Sequence, residues 1–353
     1  MKACCPLPLL LLLLQLFLLP VARAEDIDTL TMRHAPEAWL AGLKHKDVEV
    51  LSVGNGPMRA YVFMPRTPAP QGAPLVLLNH GWLGMNPKNF GALIDLLVRR
   101  GAVLIYPVYQ DGNATAPQDV TRLAGQASAA ALALLQMRNP EQIDTNRTLY
   151  IGFSMGAAIS LNFALAPQRF GLPAPRAVLL FAPGDAHHVA KGEAARSIIG
   201  PIEQLPVGLP VVIATGAADT GIGLPTARLL ASRLCHLPAD RRLLLIFPSD
   251  QNGDKRVLAG HGSPGAPDSR YDFPDSRATV PNAIHPREGF ESSPSLNQLD
   301  FYGYWRLAGR LLDWVGGADY PQSLFGDSPE NRFLGRWPDG RPYTPASIEN
   351  PCS

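Results

Sequence analysis

The sequence predicts an α/β fold, with a mostly parallel central sheet of about eight strands flanked by helices on both faces. Three observations carry that expectation. Strand-like and helix-like runs alternate along the chain. From the third onward, most strand-like runs are continuously apolar, as in strands covered on both faces. With 353 residues, 46% of them hydrophobic, there is enough chain for one large core.

At the N-terminus, Lys2 precedes an apolar run from Leu7 to Leu19, and Ala22-Arg23-Ala24 forms a small-x-small triplet. This reads as a signal peptide over 1–24, cut after Ala24. The run is shorter than the roughly 20 residues of a spanning helix, so no membrane span is expected after cleavage. A secreted or periplasmic protein of residues 25–353 follows, folded as a single domain. Cys4 and Cys5 would leave with the peptide.

The runs 47–53 (DVEVLSV) and 57–64 (PMRAYVFM) alternate in polarity and are joined by GNGP, which predicts an antiparallel hairpin at a sheet edge. Buried strands are expected at 74–79, 102–108, 148–153, 177–182, 210–215 and 242–248. Helical patterns at 88–100, 117–138, 155–166 and 223–235 lie between strands, as right-handed crossovers require. A last helix, 297–316, carries Phe301, Tyr304, Trp305, Ala308, Leu312 and Val315 at helical spacing. Such a stripe packs on a sheet more readily than it binds a cofactor.

Three stretches break the rhythm. Residues 184–209 are expected to form a cap over the sheet's C-terminal edge. Residues 249–296 are rich in Gly, Pro, Asp and Ser and too long for a simple connection, which marks an active-site loop. The tail, 317–353, reads as an irregular wrap.

Composition excludes several partners. Without Lys2 and Arg23 the chain carries 29 basic and 30 acidic residues, a formal charge of −1. No basic run or stripe of the kind nucleic acid requires is present. No residues have metal-ligand spacing, and His187 and His188 are adjacent, which chelates poorly. Cys235 and Cys352 remain after cleavage and are expected to pair in an oxidising compartment, tying the tail to the body.

The chemistry centres on Gly152-Phe153-Ser154-Met155-Gly156, a G-x-S-x-G motif closing a buried strand and opening a helix. That setting predicts a sharp turn with the Ser154 hydroxyl exposed, flanked by glycines because side chains there would collide with neighbours. The helix N-terminus places positive dipole where negative charge would develop. An oxyanion hole is expected from the backbone N–H groups of Trp82, in the stretch LLNHGWLG, and Met155. His80 is expected to orient that loop. The acid should follow a later strand: Asp219, in ATGAADT, is favoured, with Asp185 and Asp250 as alternatives. The base should follow the last strand: His261 is favoured, with His285 later in the same loop. Trp82, Phe153 and Tyr109 suggest an aromatic-lined entrance.

This order of HG, G-x-S-M-G, post-strand Asp and late His resembles the α/β-hydrolase superfamily over residues 45–316. Within it, the chain is similar to secreted dienelactone-hydrolase-like and acetylhydrolase-like serine esterases. LAGHGSP followed by LDFYGYWRLAGRLLDW resembles bacterial members that carry their histidine there, which implies His261 as the family histidine. The chain departs from the pattern at Ala157, where many members have a third glycine. The resemblance implies a Ser154–His261–Asp219 triad cleaving a small-molecule or lipid-like ester, with no cofactor. A serine peptidase or amidase on the same fold, or a non-catalytic binding protein, are the alternatives.

Overall fold

The apolar runs pair side by side into one twisted sheet in a computed structural model that describes residues 42–276 and 296–352. The expected signal peptide and His285 lie outside the described residues. The strands are β1 (Asp47–Val53), β2 (Ala60–Arg66), β3 (Ala73–Asn79), β4 (Val103–Pro107), β5 (Ile143–Phe153), β6 (Ala177–Phe181), β7 (Val211–Gly216), β8 (Arg242–Phe247), β9 (Asp250–Asn252), β10 (Lys255–Val257) and β11 (Ser347–Glu349). Nine of them form the sheet, in the order β1-β2-β4-β3-β5-β6-β7-β8-β11. From β4 through β8 every neighbouring pair is parallel. The edges are antiparallel, with the expected β1–β2 hairpin at one end and β11 on β8 at the other.

Helices cover both faces. They are α1 (Gly91–Arg99), α2 (Val120–Arg138), α3 (Met155–Leu165), α4 (Gly223–Arg233), α5 (Trp305–Val315) and a short α6 (Pro329–Arg332). α5 is entered through a π-helical turn, Leu299–Tyr304. The pleat sorts side chains into two cores: Val76, Leu78, Leu104 and Tyr106 face α1 and α5, whereas Leu75, Leu77, Val103 and Ile105 face α2, α3 and α4. Because both faces of the central strands are buried, those strands have no polar side and read as unbroken apolar runs.

The ninth strand, β11, was not among the expected eight. It belongs to the tail, where Ser347-Ile348-Glu349 is too short to show alternation. Long-range contacts hold it: Arg228 makes a two-pronged ion pair with Glu349 at 2.8 and 2.7 Å, and Cys235 and Cys352 are disulfide-bonded. The tail also reaches Asp250, whose carboxylate accepts from Trp337 Nε1 at 3.2 Å and Thr344 N at 2.8 Å. Asp250 opens the β9–β10 hairpin, which leads to His261, so the wrap buttresses the base of that loop.

The 184–209 segment contains no long helix. It consists of three short 3₁₀ turns, Ala186–His188, Gly192–Ala195 and Ile202–Gln204, beyond the C-terminal end of β6. Among the described residues, no helix is long and apolar enough to cross a membrane.

Candidate active site

Backbone strain marks one edge of the sheet. Among the described residues, five non-glycine residues have positive φ, and four of them follow the C-terminal ends of adjacent parallel strands: Leu83 after β3, Tyr109 after β4, Ser154 after β5 and Ala182 after β6. Each such residue costs on the order of 1–3 kcal/mol and persists only where its surroundings over-determine it.

Ser154 sits at φ 52° and ψ −122°, between β5 and α3. Its N–H donates to Phe181 O at 3.0 Å, and its carbonyl accepts from Gly184 N at 2.9 Å, so the end of β6 holds both sides of the turn. A methyl group on Gly156 would lie 2.0 Å from Asn79 O, and one on Gly152 would lie 2.3 Å from Gly156 O. The flanking glycines are therefore required by close backbone approach, as the motif's spacing suggested. Ala157 is fully buried in the α3 core, so its methyl is accommodated there.

Ser154 Oγ lies 3.0 Å from His261 Nε2, and His261 Nδ1 lies 2.7 Å from Asp219 Oδ2. Ser154, His261 and Asp219 are 9%, 5% and 1% exposed, so all three are buried and exposure falls along the hydrogen-bonded series to a carboxylate with almost no contact with water. A positive charge developing on the imidazole there would be attracted to the carboxylate far more strongly than in water. Two loops position the series. Ala218 N donates to Ala259 O at 3.0 Å, tying the turn that carries Asp219 to the loop that carries His261. At the start of α4, a methyl on Gly223 would lie 1.9 Å from Asp219 Oδ2, so glycine makes room for the carboxylate. Gly223 carried no recognisable signal in the sequence.

The 80–84 loop runs against the turn: a methyl on Gly81 would come within 2.9 Å of Ser154 Cβ. Gly84 N donates to Gly81 O at 3.0 Å, and Leu83 N donates to Gln110 Oε1 at 2.8 Å. The N–H groups of Trp82 and Met155 make no hydrogen bond with any described residue. For Met155 this follows from its place in the first turn of α3, where N–H groups have no intrahelical partner.

His80 lies beneath this loop, fully buried, with Nδ1 2.6 Å from Gly81 O and Nε2 2.8 Å from Val108 O. Desolvation outweighs both carbonyls and lowers its pKa to about 4. The ring is therefore neutral at pH 7 and can donate to one of the two carbonyls only. It stacks on Tyr109 at 4.0 Å between ring centroids, and the Tyr109 hydroxyl donates back to His80 O.

The remaining expected residues lie elsewhere. Asp185 caps the 186–188 turn, accepting from Ala186 N at 2.7 Å and Ile198 N at 2.9 Å, so its carboxylate serves the 184–209 segment. Asp250 is engaged by the tail. His188 Nδ1 accepts from Asp185 N at 3.0 Å, which fixes the protonated nitrogen of the neutral ring as Nε2; burial lowers its pKa. Tyr109 is fully buried and lines no entrance, a correction to the expectation of an aromatic mouth there. Trp82 is partly exposed, and Phe153 is wedged between Phe90 and His261 at 5.3 and 5.1 Å. Among the described residues, no group of three or more His, Cys, Asp or Glu could hold a metal ion.

No protein-family model matches the chain, and no curated protein matches it. The chemical content of the site therefore rests on its geometry. A hydroxyl held on a strained turn faces an imidazole whose far nitrogen is hydrogen-bonded to a buried carboxylate, and the neighbouring Trp82 and Met155 N–H groups are unengaged among the described residues.

Proposed function

We propose that the chain is a secreted serine hydrolase of the α/β-hydrolase type, cleaving carboxylic esters through an acyl-enzyme intermediate. The observation that carries this reading is the Ser154–His261–Asp219 series at 3.0 and 2.7 Å, set on the strained turn after β5. Nucleophile, base and orienting acid stand within hydrogen-bond reach in that order, the arrangement an activated serine needs.

In this mechanism His261 Nε2 takes the Ser154 proton as Oγ attacks the ester carbonyl. Asp219 holds the Nδ1–H tautomer and stabilises the imidazolium. The developing oxyanion is met by the N–H groups of Trp82 and Met155, and the α3 N-terminus adds a favourable dipole. His261 then returns the proton to the departing alcohol. A water molecule, deprotonated by His261, attacks the acyl-enzyme; collapse of the second tetrahedral intermediate releases the acid and restores Ser154. The partly exposed Trp82 beside the turn suits a small-molecule or lipid-like ester. The disulfide supports an oxidising compartment, outside the cell or in a periplasm.

Hydrolysis of p-nitrophenyl esters of graded acyl length, by the wild type and Ser154→Ala, tests the proposal. Turnover that vanishes in the variant supports it. A folded wild type that cleaves no ester and resists a fluorophosphonate probe overturns it in favour of a binding protein. Labelling without ester turnover points to an amidase or peptidase.

A further inference from the structure

Gln110, immediately after the strained Tyr109, is 1% exposed, and its side chain reaches across to the 80–84 loop. Its Oε1 accepts from Leu83 N at 2.8 Å. A backbone N–H can only donate, so the atom facing it must be the amide oxygen, and the orientation of the carboxamide is fixed. The Nε2 group is left buried without a hydrogen-bond partner. A site that needed only bulk would be filled at less cost by an apolar side chain, since an unpartnered buried donor is unfavourable. The oxygen is what the position requires.

Leu83 itself is held at φ 62°, in the left-handed region that leucine rarely adopts. Of the three consecutive amides in this turn, Gly84 N is engaged by Gly81 O and Leu83 N by Gln110, while Trp82 N is engaged by nothing described. We propose that Gln110 is a positioning residue of the active site, selecting by its hold on Leu83 which amide of the loop faces the Ser154 oxyanion. This inference rests on the hydrolase reading above. Without the Gln110 acceptor, the 82–83 peptide can rotate so that Leu83 relaxes to negative φ. That rotation turns the Leu83 N–H and the Trp82 carbonyl, so a second unsatisfied amide competes for the oxyanion and the loop no longer presents Trp82 N–H alone.

The test compares wild type, Gln110→Met and Gln110→Asn on p-nitrophenyl acetate, with active sites titrated by a fluorophosphonate, inhibition by phenylboronic acid measured, and thermal midpoints recorded. Methionine keeps the volume without a carboxamide acceptor. Asparagine keeps the carboxamide, but its oxygen falls a methylene short of Leu83. The expected result is a kcat about 10- to 100-fold lower per titrated site, with KM changed less than about two-fold. Boronate, which binds as a tetrahedral adduct, is expected to weaken in parallel with kcat/KM. Adding Leu83→Gly to Gln110→Met should recover part of the loss, because glycine adopts positive φ without strain. If the methionine variant does not fold, the asparagine variant carries the comparison. Variants with unchanged kcat per site and only a lower thermal midpoint overturn the inference while leaving the hydrolase reading intact. A wild type that neither turns over ester nor labels overturns the hydrolase reading, and this inference falls with it.

Discussion

Ser154 Oγ and His261 Nε2 stand 3.0 Å apart although 107 positions separate them in the chain. Asp219, 42 positions before His261, closes the series on the other ring nitrogen. Groups that act as a unit in this way are non-additive when removed. Ser154→Ala and His261→Ala should each lower kcat by roughly 10⁴-fold or more, and the double variant should be no worse than the poorer single one. Asp219→Asn, which disturbs the tautomer, should cost about 10⁴-fold. Independent, multiplying losses in steady-state kinetics would mean that the three do not work together.

The turn at Ser154 makes a separate claim about stability. At φ 52° and ψ −122° a side chain is strained whatever its chemistry, and only glycine is at ease. Ser154→Gly should therefore be more stable than Ser154→Ala by about 1 kcal/mol, after allowance for glycine's greater freedom in the unfolded chain. Both variants should be inactive. Urea unfolding of the two, compared directly, decides; an alanine variant equal to or more stable than the glycine variant would contradict the strain.

Much of this arrangement was legible in the sequence because it depends on local pattern. Six strands and the helices between them were visible from apolar runs, since burial on both faces leaves no polar alternation, and the β1–β2 hairpin was visible from alternation around GNGP. The serine turn announced itself through the glycines at 152 and 156, which steric contact with Asn79 O and the start of α3 demands. What was not legible depends on long-range pairing. β11 is three residues held by an ion pair and a disulfide across the fold, and Gln110 matters only because β3 and β4 end side by side. Asp219 was favoured over Asp185 by its place in the chain, and it is Asp219 that reaches His261 while Asp185 caps the 186–188 turn. The four strained residues after β3 to β6 likewise lie far apart in the chain, and only folding brings them together.

His80 links the loop's integrity to pH. Its folded-state pKa, about 4, lies below the ordinary 6.5, because burial disfavours the charged ring. Between those values the unfolded chain binds a proton that the native protein does not, so stability is full above pH 6.5 and falls as pH drops towards 4. The gap corresponds to about 3 kcal/mol at the acid end. Urea unfolding at pH 6.5 and 4.5 should show this decline in the wild type and a shallower one in His80→Asn. Equal slopes would show that the ring is not held neutral.

The Cys235–Cys352 disulfide closes a loop across a separation of 117 residues and secures the tail that buttresses the β9–β10 hairpin. Limiting the freedom of so long a loop in the unfolded chain is worth about 4–5 kcal/mol in the chain-entropy model. The Cys235→Ser/Cys352→Ser variant should lose most of that in denaturant unfolding. A loss below about 1 kcal/mol would mean that the tail's other contacts suffice.

The central claim, that Ser154 is a nucleophile activated by His261, is tested most directly by covalent labelling. Wild type, Ser154→Ala and His261→Ala would be exposed briefly to a fluorophosphonate, followed by intact mass measurement and peptide mapping. The wild type should gain one adduct per chain on the peptide bearing Ser154, Ser154→Ala none, and His261→Ala should label more slowly by orders of magnitude. A folded wild type that gains no mass, or gains it at another residue, would contradict it.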